Sequence, residues 1–143
     1  MFAIIHRNDC RNELLLREAE LFGLCAQAQG APVDLTELAP AWENLLLLQF
    51  HDILPGSSIG EVYREAAVDH AHIEATARGV RDGALKALAA RLASRADLVA
   101  FNSLSWARSD VASALAPLDP QWFPDGAQPG NVLELVDGGG QVT

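Results

Sequence analysis

Gln49-Phe50-His51-Asp52-Ile53-Leu54-Pro55-Gly56-Ser57-Ser58 divides the chain, and its reading decides the fold. An apolar stretch runs into it from the N-terminal side. The Pro-Gly pair breaks that stretch. Ser58-x-x-Glu61 then reads as a capping box, in which the Ser and Glu side chains each take an orphan N–H of a new first turn. The segment is a helix–turn–helix junction with an imidazole and a carboxylate at its bend.

Working back toward the N-terminus, the spacing predicts a helix over Leu38–Phe50. Pro40 falls in its first turn, where a missing N–H is harmless. Trp42, Leu45, Leu46 and Gln49 make one face. Leu47 and Leu48 widen the apolar arc, so this helix is expected to be buried on most sides. An earlier helix is predicted over Arg11–Gln29, with Leu14, Leu15, Leu21, Phe22 and Cys25 as its stripe and Glu18 as the polar interruption. Gly30 and Pro32 supply its stop signal. Toward the C-terminus, a long helix is predicted over Ile59–Ala93. Val62, Ala66, Ile73, Ala77, Val80, Ala84, Leu88 and Leu92 form its stripe, which Gly79 and Gly83 weaken locally.

After Arg95 the pattern changes. Leu98–Phe101, Val111–Leu115 and Val132–Val136 read as strands, Asn102–Trp106 as a turn, and the prolines and glycines from Pro117 to Gly130 as a loop. The expected architecture is mainly α: a three-helix bundle over residues 1–96, then over 97–143 the first strands of a β domain that is cut off.

Half of the 143 residues are apolar, enough to bury a core, and the formal net charge is −9. An acidic chain repels phosphate backbones, which argues against nucleic acid and anionic membranes as partners. No apolar run approaches the roughly 20 residues that span a bilayer. The start, Met1–Arg7, lacks the pattern of a signal peptide, so a cytoplasmic setting is expected. Cys10 and Cys25, on one helix, would stand roughly 22 Å apart, too far for a disulfide. Buried or reduced thiols are expected there.

His51 is the main chemical candidate. A neutral imidazole is a good ligand for zinc and similar ions, although a single His at a helix end also serves as a structural hydrogen-bonder. Asp52 can accept hydrogen bonds from two sugar hydroxyls, or stabilise the turn. Ser57 and Ser58 read as caps. A Ser57/His51/Asp52 triad is disfavoured, because neighbours at 51 and 52 are expected to point apart. His70 and His72, two apart on a helix, face opposite ways. His6 and Cys10 share a face without a third ligand. Retaining glycosidases need two carboxylates about 5–5.5 Å apart, and no such pair presents itself.

Trp42, Leu45-Leu46-Leu47, Gln49 to Ile59 and Val62-Tyr63 resemble the central helical domain of the family 38 glycoside hydrolases, the retaining α-mannosidases. The likeness is to the bacterial and cytosolic or vacuolar branch more than to the Golgi and lysosomal one. Phe101-Asn102-Ser103-Leu104-Ser105-Trp106-Ala107-Arg108 resembles the start of that family's C-terminal β-sandwich region. The resemblance covers about Arg11 to Ala112. It implies that His51 is one ligand of a zinc-type divalent ion and that Asp52 contacts mannose hydroxyls. It also implies that the remaining ligands and both catalytic carboxylates belong to a barrel domain this chain does not contain. The implied partners are a mannose-containing oligosaccharide and that barrel, and the oligomeric state stays open, a homo-oligomer included. The implied activity is hydrolysis of terminal α-mannosyl linkages by the whole enzyme, with the metal site incomplete and the isolated chain inactive. The alternative is a non-enzymatic acidic helical interaction module.

Overall fold

In the computed structural model, which describes residues 2–91 and 99–107, the chain forms α1 (Phe2–Ala28), α2 (Leu38–Leu48) and α3 (Gly60–Arg91). The stop at Gly30 is a full left-handed cap. Gly30 has φ +76°. Its N–H donates to the Gln27 carbonyl (2.8 Å) and that of Ala31 to the Ala26 carbonyl (2.9 Å). These two bonds satisfy carbonyls that the helix end leaves open. α1 starts nine residues before the predicted Arg11, carrying Phe2–Cys10 into the helix. Among the described residues, no helix is long and apolar enough to cross a membrane.

Cross-helix pairs fix the topology. Asn12 meets His70, Glu18 meets Arg81, and Gln29 meets Arg91. Numbers rise together, so α1 and α3 run parallel. Between α1 and α2 the pairs are Glu20–Trp42 and Asp9–Gln49, which descend, so α2 runs antiparallel. The bundle is therefore up-down-up. At ~1.5 Å per residue, α1 is roughly 40 Å long and α2 only about 16 Å. α2 can cover only part of the α1–α3 groove.

Two core clusters result. In the first, Leu16, Leu45 and Ile73 come from the three helices and are fully buried, with Leu15, Ala19, Leu38, Ala41, Leu48, Tyr63 and Ala77 around them. In the second, Phe22, Ala26 and Ala84 pack with Ala31, Val33 and Phe101. There the connecting loop and the segment after α3 take the place of a third helix. Gly23 faces Leu35 so closely that a Cβ would collide with the Leu35 side chain.

The predicted faces need correction. On α1, Leu14, Leu21 and Cys25 are exposed, and the core stripe is Leu15, Leu16, Ala19, Phe22 and Ala26. Ala19 and Ala26 share this stripe with Leu15, Leu16 and Phe22, so the spacing of the leucines alone does not mark the buried face. α2 is not buried on most sides. Leu46 and Leu47 are 60% and 64% exposed, and the buried set is Leu38, Ala41, Leu45 and Leu48. Trp42 is half-buried and donates its Nε1–H to Glu20 (2.9 Å). Both cysteines are exposed rather than buried, and unpaired.

Two polar features of α1 organise its contacts. Glu18, the interruption in the predicted stripe, accepts from the Ser103 hydroxyl (3.0 Å) and pairs with Arg81 (3.4 Å). The Arg17 guanidinium donates to the Ser103 carbonyl (3.1 Å), and Phe101 meets Phe22 edge-on at 5.9 Å. Residues 99–103 thus lie against the bundle. No strand occurs among the described residues, so the expected strand at Leu98–Phe101 is not found at 99–101; those at Val111–Leu115 and Val132–Val136 lie outside them. Residues 104–107, in a second unit that begins at Leu104, include a bend at 104–106, in keeping with the turn-like reading.

The second feature is a buried polar cluster that the sequence did not disclose. Asp9, Asn12 and His70 are each at least nine-tenths buried. The Asn12 amide nitrogen donates to the His70 carbonyl (2.9 Å) and to His70 Nδ1 (3.2 Å). Burial holds the His70 imidazole below its usual range, against the opposing pull of Asp9 and Asp69. His72, two residues on, is exposed, as its spacing predicted.

Two measurements check this fold. Leu45→Ala is expected to lower unfolding free energy by about 2–5 kcal/mol, and Leu47→Ala by less than about 0.5 kcal/mol. Equal losses in urea melts would contradict the assigned face of α2. The second concerns His70. Its folded pKa is depressed below the unfolded 6.5, so on acidification the unfolded chain takes up the proton first. Stability should be full above that pH and fall below it, and His70→Gln should flatten the drop in urea midpoint between about pH 7.5 and 5.5.

Candidate functional site

The turn that follows α2 is built from consecutive short backbone bonds. Phe50 N–H donates to the Leu47 carbonyl (3.2 Å), closing the helix. Ile53 and Leu54 N–H both return to the Phe50 carbonyl (2.9 and 3.0 Å), and Gly56 N–H to that of Ile53 (3.1 Å). Gly56 has φ +89°, a left-handed conformation that glycine adopts without strain. α3 starts at Gly60, so Ser58 stands two residues before the first helical residue, and its backbone N–H goes to the Tyr63 hydroxyl (2.8 Å). The predicted helix–turn–helix junction is present, but the expected capping box is corrected: the Ser58 N–H that Glu61 would take goes to the tyrosine hydroxyl instead.

His51 and Asp52 project from this turn into solvent, their side chains 75% and 58% exposed. His51 Nε2 lies 3.5 Å from Asp52 Oδ2. The expectation that these neighbours point apart is thus corrected. The residues leave the helical path at Gln49, and in the turn the two side chains come together. The Phe50 ring lies 4.2 Å from the imidazole, tilted by 45°. The turn is anchored to α1 through Gln49, whose amide donates to the buried Asp9 carboxylate (3.3 Å).

An imidazole nitrogen and a carboxylate oxygen suit a divalent cation by type, but a zinc site takes three or four protein ligands. Among the described residues no group of three or more His, Cys, Asp or Glu side chains could hold a metal. The donor set here is a pair, short of a complete site. His6 lies 4.0 Å from Cys10, on the shared face its spacing predicted. A concavity of about 300 Å³ between α1 and α3 is lined by Arg11, Arg78 and Arg81. Its arginines are paired with Glu74, Glu18 and Asp82 and leave no uncompensated charge for a ligand.

The sequence singled out His51 and Asp52 but missed the two groups that hold their turn, Asp9 and the Tyr63 hydroxyl. Tyr63 stood in the quoted motif without a role. Asp9 had only one signal, an acidic residue three positions before Asn12 on a common helical face.

Comparison with known proteins gives a consistent answer. A family model described as the alpha mannosidase middle domain matches residues 5–88, more than half of the chain. Alpha-mannosidase of Saccharomyces cerevisiae is 40% identical over 73 residues, 50% of this chain and 7% of that protein. Alpha-mannosidase 2C1 of Homo sapiens is 31% identical over 117 residues, covering 80% of this chain and 11% of the relative. The mouse protein of that name is 30% identical over 107 residues, 73% and 10%. The chain thus spans about a tenth or less of the length of these curated relatives. No solved structure matches. A helical bundle whose second junction carries Phe50-His51-Asp52 and whose residues 5–88 fit that model belongs to the alpha-mannosidase middle-domain family.

Proposed function

We propose that this chain is the middle-domain portion of a retaining, metal-dependent α-mannosidase that removes terminal α-mannosyl residues from oligosaccharides. One observation carries the reading: the match over residues 5–88 encloses an exposed His51–Asp52 pair, 3.5 Å apart, on a braced turn at one end of the bundle. Neither side chain is used to hold the bundle together. In this proposal His51 supplies one ligand to a zinc-type ion, and Asp52 accepts hydrogen bonds from mannose hydroxyls. Such an ion, when bound, would orient the sugar hydroxyls and help stabilise charge in the transition state.

The other ligands and the two carboxylates of a retaining mechanism belong, in this reading, to a barrel domain of the same enzyme. Leu46, Leu47 and Phe50 form an exposed apolar row beside His51, which supports a partner at this end of the bundle. The start of a C-terminal β domain over 97–143 and a cytoplasmic setting belong to the same proposal. They rest on the resemblance of Phe101–Arg108 and on the sequence pattern.

The 143-residue chain by itself is expected to leave aryl α-mannosides intact. Turnover by the pure protein, lost in His51→Ala, would contradict this. When the chain is joined to a barrel domain, His51→Ala should lower bound metal and turnover together. Asp52→Asn should retain the metal and weaken substrate binding and rate. A charge-assisted hydrogen bond contributes roughly 1.5–3 kcal/mol, or about ten- to a hundredfold. Full metal occupancy and normal turnover in His51→Ala would remove this motif from the active site.

A further inference from the structure

We propose that Tyr63 is the positioning residue of the His51–Asp52 turn, its hydroxyl setting where the Asp52 carboxylate stands. The consequence for catalysis rests on the reading of Asp52 as the acceptor of mannose hydroxyls. Tyr63 lies in the first turn of α3 with its ring in the core, 6% exposed. Its oxygen accepts the Ser58 N–H (2.8 Å) and donates to the Asp52 carbonyl (3.3 Å). One hydroxyl therefore ties both ends of the segment 52–58, the part that contains the Pro55-Gly56 bend.

Two further anchors are Ile53, which packs against the core, and residue 49. Gln49 is fixed to α1 through Asp9, so the turn is held by one helix before His51 and by another after it. The side chains of His51 and Asp52 contact each other and Phe50, and give no hold on the bundle. Their location is transmitted through the backbone alone. Of these anchors, Tyr63 is the one that bonds to Asp52 itself, at its carbonyl. A buried phenol needs a partner in any case. What marks this one is that its two partners are backbone groups six residues apart that enclose the bend.

The test compares the 143-residue chain with Tyr63→Phe, which keeps the ring and removes the hydroxyl. Nitrogen-15 relaxation should show order parameters at His51, Asp52 and Ser58 falling from about 0.85 to below about 0.6. The Ser58 amide should exchange about tenfold faster, as expected for loss of one hydrogen bond. Amides of Leu16, Leu45 and Ile73 should keep their values. Ser58→Pro also removes the bond, its Cδ displacing the hydroxyl from the amide, and should loosen His51 and Asp52 if Tyr63→Phe folds poorly. An unchanged turn, or loosening spread evenly through the bundle, would overturn the proposal. In the enzyme assembled with a barrel domain, Tyr63→Phe should follow Asp52→Asn, raising KM for an aryl α-mannoside and lowering kcat, with kcat/KM down about tenfold. A loosened turn with unchanged kcat/KM would reduce Tyr63 to a structural role and also overturn it. If His51→Ala and Asp52→Asn leave turnover intact, the functional reading fails, while the relaxation data still decide whether Tyr63 holds the turn.

Discussion

The contact of α1 with α3 is the constraint on which the rest of the structure depends. Ala19 and Ala26 on one helix, and Ala66, Ala77 and Ala84 on the other, are buried and small enough to let the parallel helices approach. Close packing of this kind gains many weak dispersion contacts and tolerates little added volume. Once the groove between the two is set, α2 has one place to lie. Being short, it fills only the part near Leu16 and Ile73, and the remainder is closed by Ala31, Val33 and Phe101. The polar pairs along the seam, from Asn12–His70 to Glu18–Arg81, keep the register.

That register also brings His51 and Asp52 to one end of the bundle. α2 ends beside Asp9, near the start of α1, and α3 begins within reach of the same region through Tyr63. The eleven-residue crossing between α2 and α3, residues 49–59, is therefore short and anchored to both α1 and α3. Its exposed groups are an imidazole, a carboxylate and an apolar edge from Phe50. A domain with these properties suits the presentation of a few side chains to a neighbour better than it suits the enclosure of a substrate of its own.

Much of this was legible in sequence, and the exceptions share a cause. Gly30, Pro32 and Pro55-Gly56 marked the breaks, because left-handed caps and missing donors leave local signatures. The choice of face was harder. Leu14-Leu15-Leu16 and Leu45-Leu46-Leu47-Leu48 are apolar all around the helix, so periodicity alone cannot say which leucine is inside. In the structure Ala19, Ala26 and Ala41 share the buried faces with Leu15, Leu16, Leu45 and Leu48, and Leu14, Leu46 and Leu47 are left outside. Asp9, Asn12 and His70 were illegible for the opposite reason, since burial of polar groups depends on partners some 60 residues away. The pairing of His51 with Asp52 depended on leaving the helix at Gln49, a detail that a continuous helix to Phe50 hides.

The up-down-up order has a consequence for how such a chain reaches its native state. Helical bundles usually fold fast because their contacts are local in sequence. Here the main interface joins elements far apart, with partners separated by 58, 63 and 62 positions. The Trp42–Glu20 contact between α1 and α2 closes a span of only 22. On loop-closure entropy the longer span costs about 0.9 kcal/mol more. The α1–α2 hairpin is thus the cheaper nucleus, and α3 must dock onto it afterwards. Until it does, the face of α1 that α3 covers is open to solvent. During synthesis at the ribosome, that interval lasts at least as long as the chain takes to extend from Leu48 through Arg91.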